Sequence, residues 1–305
     1  FNLEFSGGFL INDTLMAVRT GFDFFPRKEG DAFMIPGSSL RGVIRSQAEK
    51  IARTIITQKC EGGKEFLARC PACNPFAGRE NPLTSCGDLF HNYKQQKKDA
   101  EIEARQLCLT CRLFGSLDWG SRLYFHDAYL SGEPRIKIMD FLAIDRFTGG
   151  GKEGAKFDAV VLWRPKFKVR IFLENVQNWH LGWLLLVFRD LEEGLISFGF
   201  GRNKWFGRAK IGTLHMKLGA VSKDDLPGKL KEGQDSREGL FHTETLTLNA
   251  LTAISGEPVL DWVADFQKKL LAFRREEEFI PQTDTYFTGD LFTLYPRRWQ
   301  YDQSR

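Results

Sequence analysis

Apolar positions change their spacing several times along this chain, and each spacing predicts an element. Leu3, Phe5, Phe9, Ile11, Leu15 and Ala17 alternate loosely, which predicts an opening strand or hairpin over residues 1–20. Thr20 to Asp31 reads as a loop rich in Phe, Gly and charge. Leu40, Val43, Ile44, Ala48, Ile51 and Ile55 then recur every three or four residues and predict a helix from Ile35 to about Ile56. It is entered through Pro36-Gly37-Ser38-Ser39, where either serine can cap it. Residues 57–106 lose periodicity, and Asn92 to Arg105 reads as a solvated helix or a mobile arm. Strands are predicted at Arg122–Ala128 and Val160–Leu173, with a glycine-rich loop from Asp140 to Phe157. A second amphipathic helix follows at Trp179–Leu191, then a glycine-rich basic segment, Gly199–Gly212, leading into a strand at Ile211–Leu218. Residues 221–305 read as an extension with one helix around Leu260–Phe273 and a tail rich in Pro, Asp and Tyr. The order strand, helix, insertion, strand, loop, strand, helix, strand suits an α+β sandwich of the ferredoxin type.

Composition narrows this only slightly. With 305 residues, 42% of them hydrophobic, the chain can fill one large core or two ordinary ones. A net charge of +4 permits a polyanionic partner without requiring one. The longest apolar run, Leu184 to Phe188, falls far short of the ~20 residues of a membrane span. No secretory signal is visible, and no membrane partner is expected. Of the six cysteines, Cys70-Pro-Ala-Cys73 and Cys108-Leu-Thr-Cys111 form two C-x-x-C pairs. In so long a chain without a secretory signal these read as a metal site before disulfides, and as a reducing, cytoplasmic setting.

Five stretches carry candidate chemistry. The start of the first helix offers backbone N–H groups, with Arg41 and Arg45 on one face, to a phosphate. The alternative is an ordinary capped helix with two solvated arginines. Phe198 to Gly212 interleaves rings and glycines with Arg202, Lys204, Arg208 and Lys210, a composition suited to single-stranded nucleic acid. A plain glycine-rich turn is its alternative. Two cysteine knuckles brought together make a tetrahedral zinc site from Cys70, Cys73, Cys108 and Cys111. Cys86, His91 and Cys60 are possible substitutes. Ala143 to Gly151 suggests a projecting hairpin or a turn closed by Asp145 and Arg146. Asp23, with Asp31 in reserve, is the carboxylate placed to hold a divalent metal or orient a 2′-hydroxyl beside RNA. The histidines stand without an obvious nucleophile.

Together these residues resemble the RAMP superfamily, the repeat-associated proteins of CRISPR effector complexes. The resemblance rests on Ile35-Pro-Gly-Ser-Ser-Leu-Arg-Gly-Val-Ile-Arg45, Cys111-Arg-Leu-Phe-Gly-Ser116, Ile144-Asp-Arg-Phe-Thr-Gly-Gly150 and the glycine-rich loop 199–207. It looks most like a backbone subunit of a type III effector, or a related fused form. The resemblance implies a ferredoxin-like (RRM-like) core over residues 1–220, with a zinc-binding insertion at 57–112 and a thumb hairpin at 140–160. The extension at 221–305 lies outside the resemblance, and contact with a neighbouring subunit is the expectation for it. The resemblance further implies that Ser38, Ser39, Arg41 and Arg45 face guide RNA phosphates. Arg146, Phe147 and Thr148 would lie at the thumb, and Arg202, Lys204 and Arg208 would close the RNA groove. The implied partners are CRISPR guide RNA, complementary target RNA and adjacent RAMP subunits. The implied reaction is antiviral target cleavage by a metal-dependent endoribonuclease using Mg2+ or Mn2+ at Asp23. An inactive structural subunit and a guide-processing ribonuclease are the alternatives.

Overall fold

The computed structural model describes residues 1–60, 63–74, 85–96, 103–222, 236–238, 241–248 and 258–276. In chain order the elements begin with β1 (Asn2–Phe5), β2 (Gly8–Phe9), α1 (Thr14–Thr20), β3 (Lys28–Glu29), β4 (Ala32–Ile35) and α2 (Gly37–Thr57). Next come α3 (Gly63–Arg69), α4 (Cys86–Gln96), α5 (Leu109–Phe114), β5 (Leu123–Phe125), β6 (Ala128–Leu130), β7 (Ile136–Ile144) and β8 (Gly151–Trp163). The chain continues through β9 (Lys166–Lys168), β10 (Ile171–Leu173), α6 (Asn178–Glu192), β11 (Ala209–Ile211) and β12 (Leu214–Ala220). It closes with β13 (Ser236–Glu238), β14 (Phe241–Leu248) and α7 (Val259–Ala272). This is an α+β protein with antiparallel sheets. Its residues gather into two compact units, one of Phe1–Ile44, Tyr124–Phe172 and Leu184–Leu260, the other of Arg45–Leu123, Leu173–Trp183 and the described residues from Asp261 on.

The first unit is built on a six-stranded sheet in the order β11-β1-β9-β6-β4-β3. Leu3 pairs with both Ile211 and Phe167, and all three are buried, so one face of the sheet is apolar. Leu40 and Ile44 of α2 and Leu191 of α6 converge on that face with Phe1, Leu3 and Phe198. Phe5, Phe9 and Phe167 touch ring to ring at 4.2 to 5.9 Å. A second sheet, β2-β8-β7, is dominated by the long β7–β8 hairpin, and a third has the order β12-β14-β13.

The second unit is helical. Trp183 of α6 stacks on Phe266 of α7 at 5.0 Å and donates from Nε1 to the Ala48 carbonyl of α2 at 3.1 Å. Trp262 and Phe266 are fully buried, so the helix of the C-terminal extension is an integral part of this unit's core. The rest of the extension's tail, and residues 97–102 of the charged arm, lie outside the described residues.

Three expectations are corrected. The opening alternation does not continue as a strand, because the Asp13 side chain accepts the Met16 N–H at 3.2 Å and starts α1. Leu15 is consequently 60% exposed, although it sits in phase with the buried residues before it. The strand at Arg122–Ala128 breaks into β5 and β6 at Asp127, and Val160–Leu173 breaks at Arg164, whose φ of 49° is left-handed. The first break has a purpose in the packing. Asp127 turns toward α2, and its Oδ1 accepts the Gly37 N–H at 2.6 Å. Gly37 sits so close to the Phe125 carbonyl that a Cβ there would collide with it.

Asp127, not Ser38 or Ser39, is thus the cap of α2. Replacing it with Ala should lower the unfolding free energy by about 1–2 kcal/mol, and Asn should cost less because it keeps an acceptor. Urea denaturation of the two variants beside the parent chain measures the difference.

Candidate nucleic-acid interface and metal centre

The helical unit concentrates sulfur. Cys73 follows the Pro71-Ala72 turn after α3, Cys86 opens α4, Cys108 is the N-cap of α5, and Cys111 lies one turn into it. Among the described residues these four form a group whose Sγ atoms all lie within 4.8 Å of one another, and all four are buried. Cys73 and Cys111 are 3.5 Å apart. Four sulfurs about 2.3 Å from one zinc ion form a tetrahedron with edges of about 3.8 Å, so the group has the size of a mononuclear site. Backbone N–H groups already point at the sulfurs, Cys111 to Cys108 Sγ at 3.4 Å and Cys108 to Cys86 Sγ at 3.5 Å. Phe90 and Leu107 are buried in the same cluster, with Trp119 packed against it.

The sulfur group therefore differs from the four cysteines expected of two paired knuckles. Cys70 is buried but lies outside the group, and its thiol donates to the Ala72 carbonyl at 3.1 Å. Cys86 takes its place. His91 is hydrogen-bonded to Gln95 one turn along α4, and Cys60 stands half-buried outside the cluster. The Cys70 thiol is taken up by its own turn, while α4 presents Cys86 at its first residue.

Charge completes the picture. Arg45 donates from Nε to Glu49 at 2.9 Å, from Nη1 to the Gly115 carbonyl at 3.2 Å and from Nη2 to Cys111 Sγ at 3.7 Å. Arg53 reaches Glu49 at 3.3 Å and the Cys73 carbonyl at 2.8 Å. Arg275, 4% exposed, points Nη1 at Cys86 Sγ at 3.9 Å, and its Nε has no hydrogen-bond partner. Burial lowers the pKa of Arg275, but the Cys86, Cys108, Cys70 and Cys73 sulfurs outweigh it and hold the guanidinium above the ordinary arginine range. Three guanidiniums against the Glu49 carboxylate leave two positive charges, and four thiolates on a divalent cation carry two negative ones. With such a cation present the set sums to zero. Arg45, expected at a phosphate, is committed here instead. Arg275 had no signal in the sequence, because one of two adjacent arginines in a charged segment is unremarkable there.

The sheet unit holds the nucleic-acid candidates. The β7–β8 hairpin ends in a turn tied by Asp145, whose Oδ1 accepts the Phe147 N–H at 2.7 Å and the Thr148 N–H at 3.3 Å. Asp145 thus serves the backbone rather than Arg146. Arg146, Phe147 and Thr148 are left in solvent, Phe147 completely so. At the base of the hairpin Phe141, Phe157, Phe24, Phe200 and Phe206 form one aromatic cluster. Lys204 sits over Phe141 at 4.3 Å, and Arg208 over the exposed Trp205 at 3.7 Å. Arg202 is exposed beside them. Gly207, with φ 73°, has the Phe198 carbonyl where a Cβ would stand, so this turn admits only glycine.

Asp23 is exposed and clamped. Its N–H donates to Asp158 Oδ1 at 2.8 Å, and the Asp158 N–H donates to Asp23 Oδ2 at 2.9 Å. The pair fixes the Asp23 loop to β8 and sets a second carboxylate beside it, one the sequence did not single out. Asp31 is exposed beyond β3 and has no part in the clamp. Ser38 is exposed, and Ser39 and Arg41 are half-buried at the start of α2, where Asp127 has already taken the Gly37 N–H.

A family model described as the RAMP superfamily matches residues 14–210. That is well over half of the chain, and it runs from α1 to β11. The chain belongs to this superfamily, whose members are CRISPR-associated RNA-binding proteins. No curated protein matches it. No helix among the described residues is long and apolar enough to cross a membrane.

Cys86→Ala should abolish binding of one divalent ion per chain, whereas Cys70→Ala should retain it. Metal content after dialysis, read by elemental analysis, separates the two. Arg275→Ala should keep the four ligands but lower metal affinity by about 10- to 100-fold, the usual range for an outer partner of a metal site.

Proposed function

We propose that this chain is a backbone subunit of a type III CRISPR effector, with a ferredoxin-like core that holds guide RNA and a complementary target RNA. The superfamily match carries the reading, because it spans every candidate RNA contact in the sheet unit. Ser38, Ser39 and Arg41 meet guide phosphates at the start of α2. The hairpin tip of Arg146, Phe147 and Thr148 enters the guide–target duplex as a wedge, with Phe147 free to stack on a base. Arg202, Lys204 and Arg208 line the backbone path, the last two held in place by the rings beneath them. Sequence choice belongs to base pairing, as in other RNA-guided systems. Adjacent RAMP subunits repeat the arrangement along the guide, in the cytoplasm.

The cysteine group suits zinc in a structural role, since four protein thiolates leave no open position for chemistry. Catalysis, in this reading, belongs to Asp23. Magnesium or manganese is bound through one or two carboxylates plus substrate phosphates, and Asp23 with Asp158 supplies that number. Such an ion, when bound, neutralises charge on the phosphate under attack. The chain's own residues orient the target, with its 2′-hydroxyl directed at the adjacent phosphorus and the 5′-oxygen as leaving group. One observation favours the inactive-scaffold reading instead: Asp23 Oδ2 already accepts the Asp158 N–H.

The test is cleavage of guide-complementary RNA by the assembled complex with Mg2+ or Mn2+, comparing wild type, Asp23→Ala and Asp23→Asn. Asn keeps the acceptor for Asp158 while removing the charge. Loss of at least about 100-fold in rate for both, with target binding retained, identifies Asp23 as the nuclease residue. Equal cleavage by all three moves the chemistry elsewhere, and binding without cleavage in all three makes the chain a scaffold. Arg41→Ala should weaken binding of any RNA sequence and reduce the salt slope by about 1.

A further inference from the structure

The segment Arg164-Pro165-Lys166-Phe167-Lys168-Val169-Arg170 alternates without exception. Arg164, Lys166, Lys168 and Arg170 are exposed, while Pro165, Phe167 and Val169 are buried. The run passes through β9, next to the middle of the six-stranded sheet, so its cations line the face opposite the aromatic core. Register extends the row sideways. Lys166 faces Glu4 on β1, and Glu4 faces Lys210 on β11. Lys168 faces Asn2 on β1 and Tyr129 on β6.

Arg164, Lys166, Lys168, Arg170 and Lys210 stand against two carboxylates, Glu4 and the Glu29 bound by Tyr129, which leaves three positive charges along this face. The solvated face of an ordinary antiparallel sheet mixes signs, because opposite charges across strands are favourable and like charges are not. Lys166 follows that rule, with Glu4 at 3.0 Å. Among the described residues no ion pair involves Lys168 or Arg170. Like charges are thus held side by side along one strand, an arrangement that an external polyanion would relieve.

We propose that this face is a second RNA-binding surface, separate from the residues named above. A single-stranded segment would run along β9, its phosphates on Lys166, Lys168 and Arg170 and one base on Tyr129. The charge spacing suits RNA, and the exposed ring beside it favours RNA over an acidic peptide. Alternate residues of a strand stand about 6.7 Å apart, comparable to consecutive phosphates of an extended strand. Tyr129, 41% exposed and anchored through its hydroxyl to Glu29, offers a ring beside Lys168 on which a base can stack. The proposal rests on the chain being an RNA-binding protein, but not on the guide contacts at α2.

The test is binding of a fluorescein-labelled oligouridylate to the purified full-length chain, followed by anisotropy across a sodium chloride series. Lys168→Ala with Arg170→Ala should weaken binding at least about tenfold and flatten the log–log salt slope by about 1.4, two single-strand phosphate contacts. Tyr129→Ala should weaken it about tenfold, and Tyr129→Phe should not. All three positions are exposed, and circular dichroism checks that the variants stay folded. If the double variant keeps its affinity and slope while Arg41→Ala loses both, the second surface is refuted and the RNA-binding reading stands. If poly-glutamate displaces the oligomer equally well and Tyr129→Ala has no effect, the face recognises charge alone and the RNA proposal fails. If the wild type binds no RNA under any salt, both readings fall together.

Discussion

The helical unit depends on one constraint: buried charge must sum to nearly zero. Four cysteines, three arginines and a glutamate meet inside it, and isolated charges in such surroundings cost several kcal/mol each. The groups come from α2, α5, the first residue of α4, the turn after α3 and the segment after α7. Satisfying the charge therefore assembles the unit. It accounts for Arg275, near the end of the described chain, being buried, and for Arg45 turning toward the same sulfurs. Trp183 stacked on Phe266 supplies apolar packing to the same elements.

In the sheet unit an aromatic cluster has the corresponding position. Phe24 belongs to the Asp23 loop, Phe141 and Phe157 to the hairpin, and Phe200 and Phe206 to the glycine-rich loop. Three recognition segments distant in sequence are thus held by one set of rings, with Lys204 laid across it. Rigid rings place the exposed groups without ordering them by long polar side chains. The hairpin tip is stiffened separately by Asp145. An RNA-binding role then needs only that the exposed residues match a phosphate chain and a base.

Much of this was legible in the sequence because it is local. The three- and four-residue spacing around Leu40 and Ile44, the apolar run at Leu184–Phe188 and the helix near Leu260 all appear as helices close to their expected bounds. The glycines around Phe206 and the Pro-Gly-Ser-Ser turn marked the loop and the helix entry correctly. The first error, α1, arose where the short capping signal of Asp13 overrode a longer alternation. The cation stripe from Arg164 to Arg170 was present in plain alternation, but it acquired meaning only when β9 was found inside a sheet with Lys210 and Tyr129 beside it.

The sequence by itself determined the periodic elements, the presence of a sulfur-rich site and the membership of the RAMP superfamily, since each is written in neighbouring residues. Tertiary structure alone decided that Cys86 displaces Cys70, that Arg275 faces Cys86 from 189 residues away, that Asp127 caps α2 and that Asp158 clamps Asp23. The physical reason is common to all four. Each is a pairing between residues far apart in the chain, selected by burial and charge, and no local pattern records which partner the fold will bring.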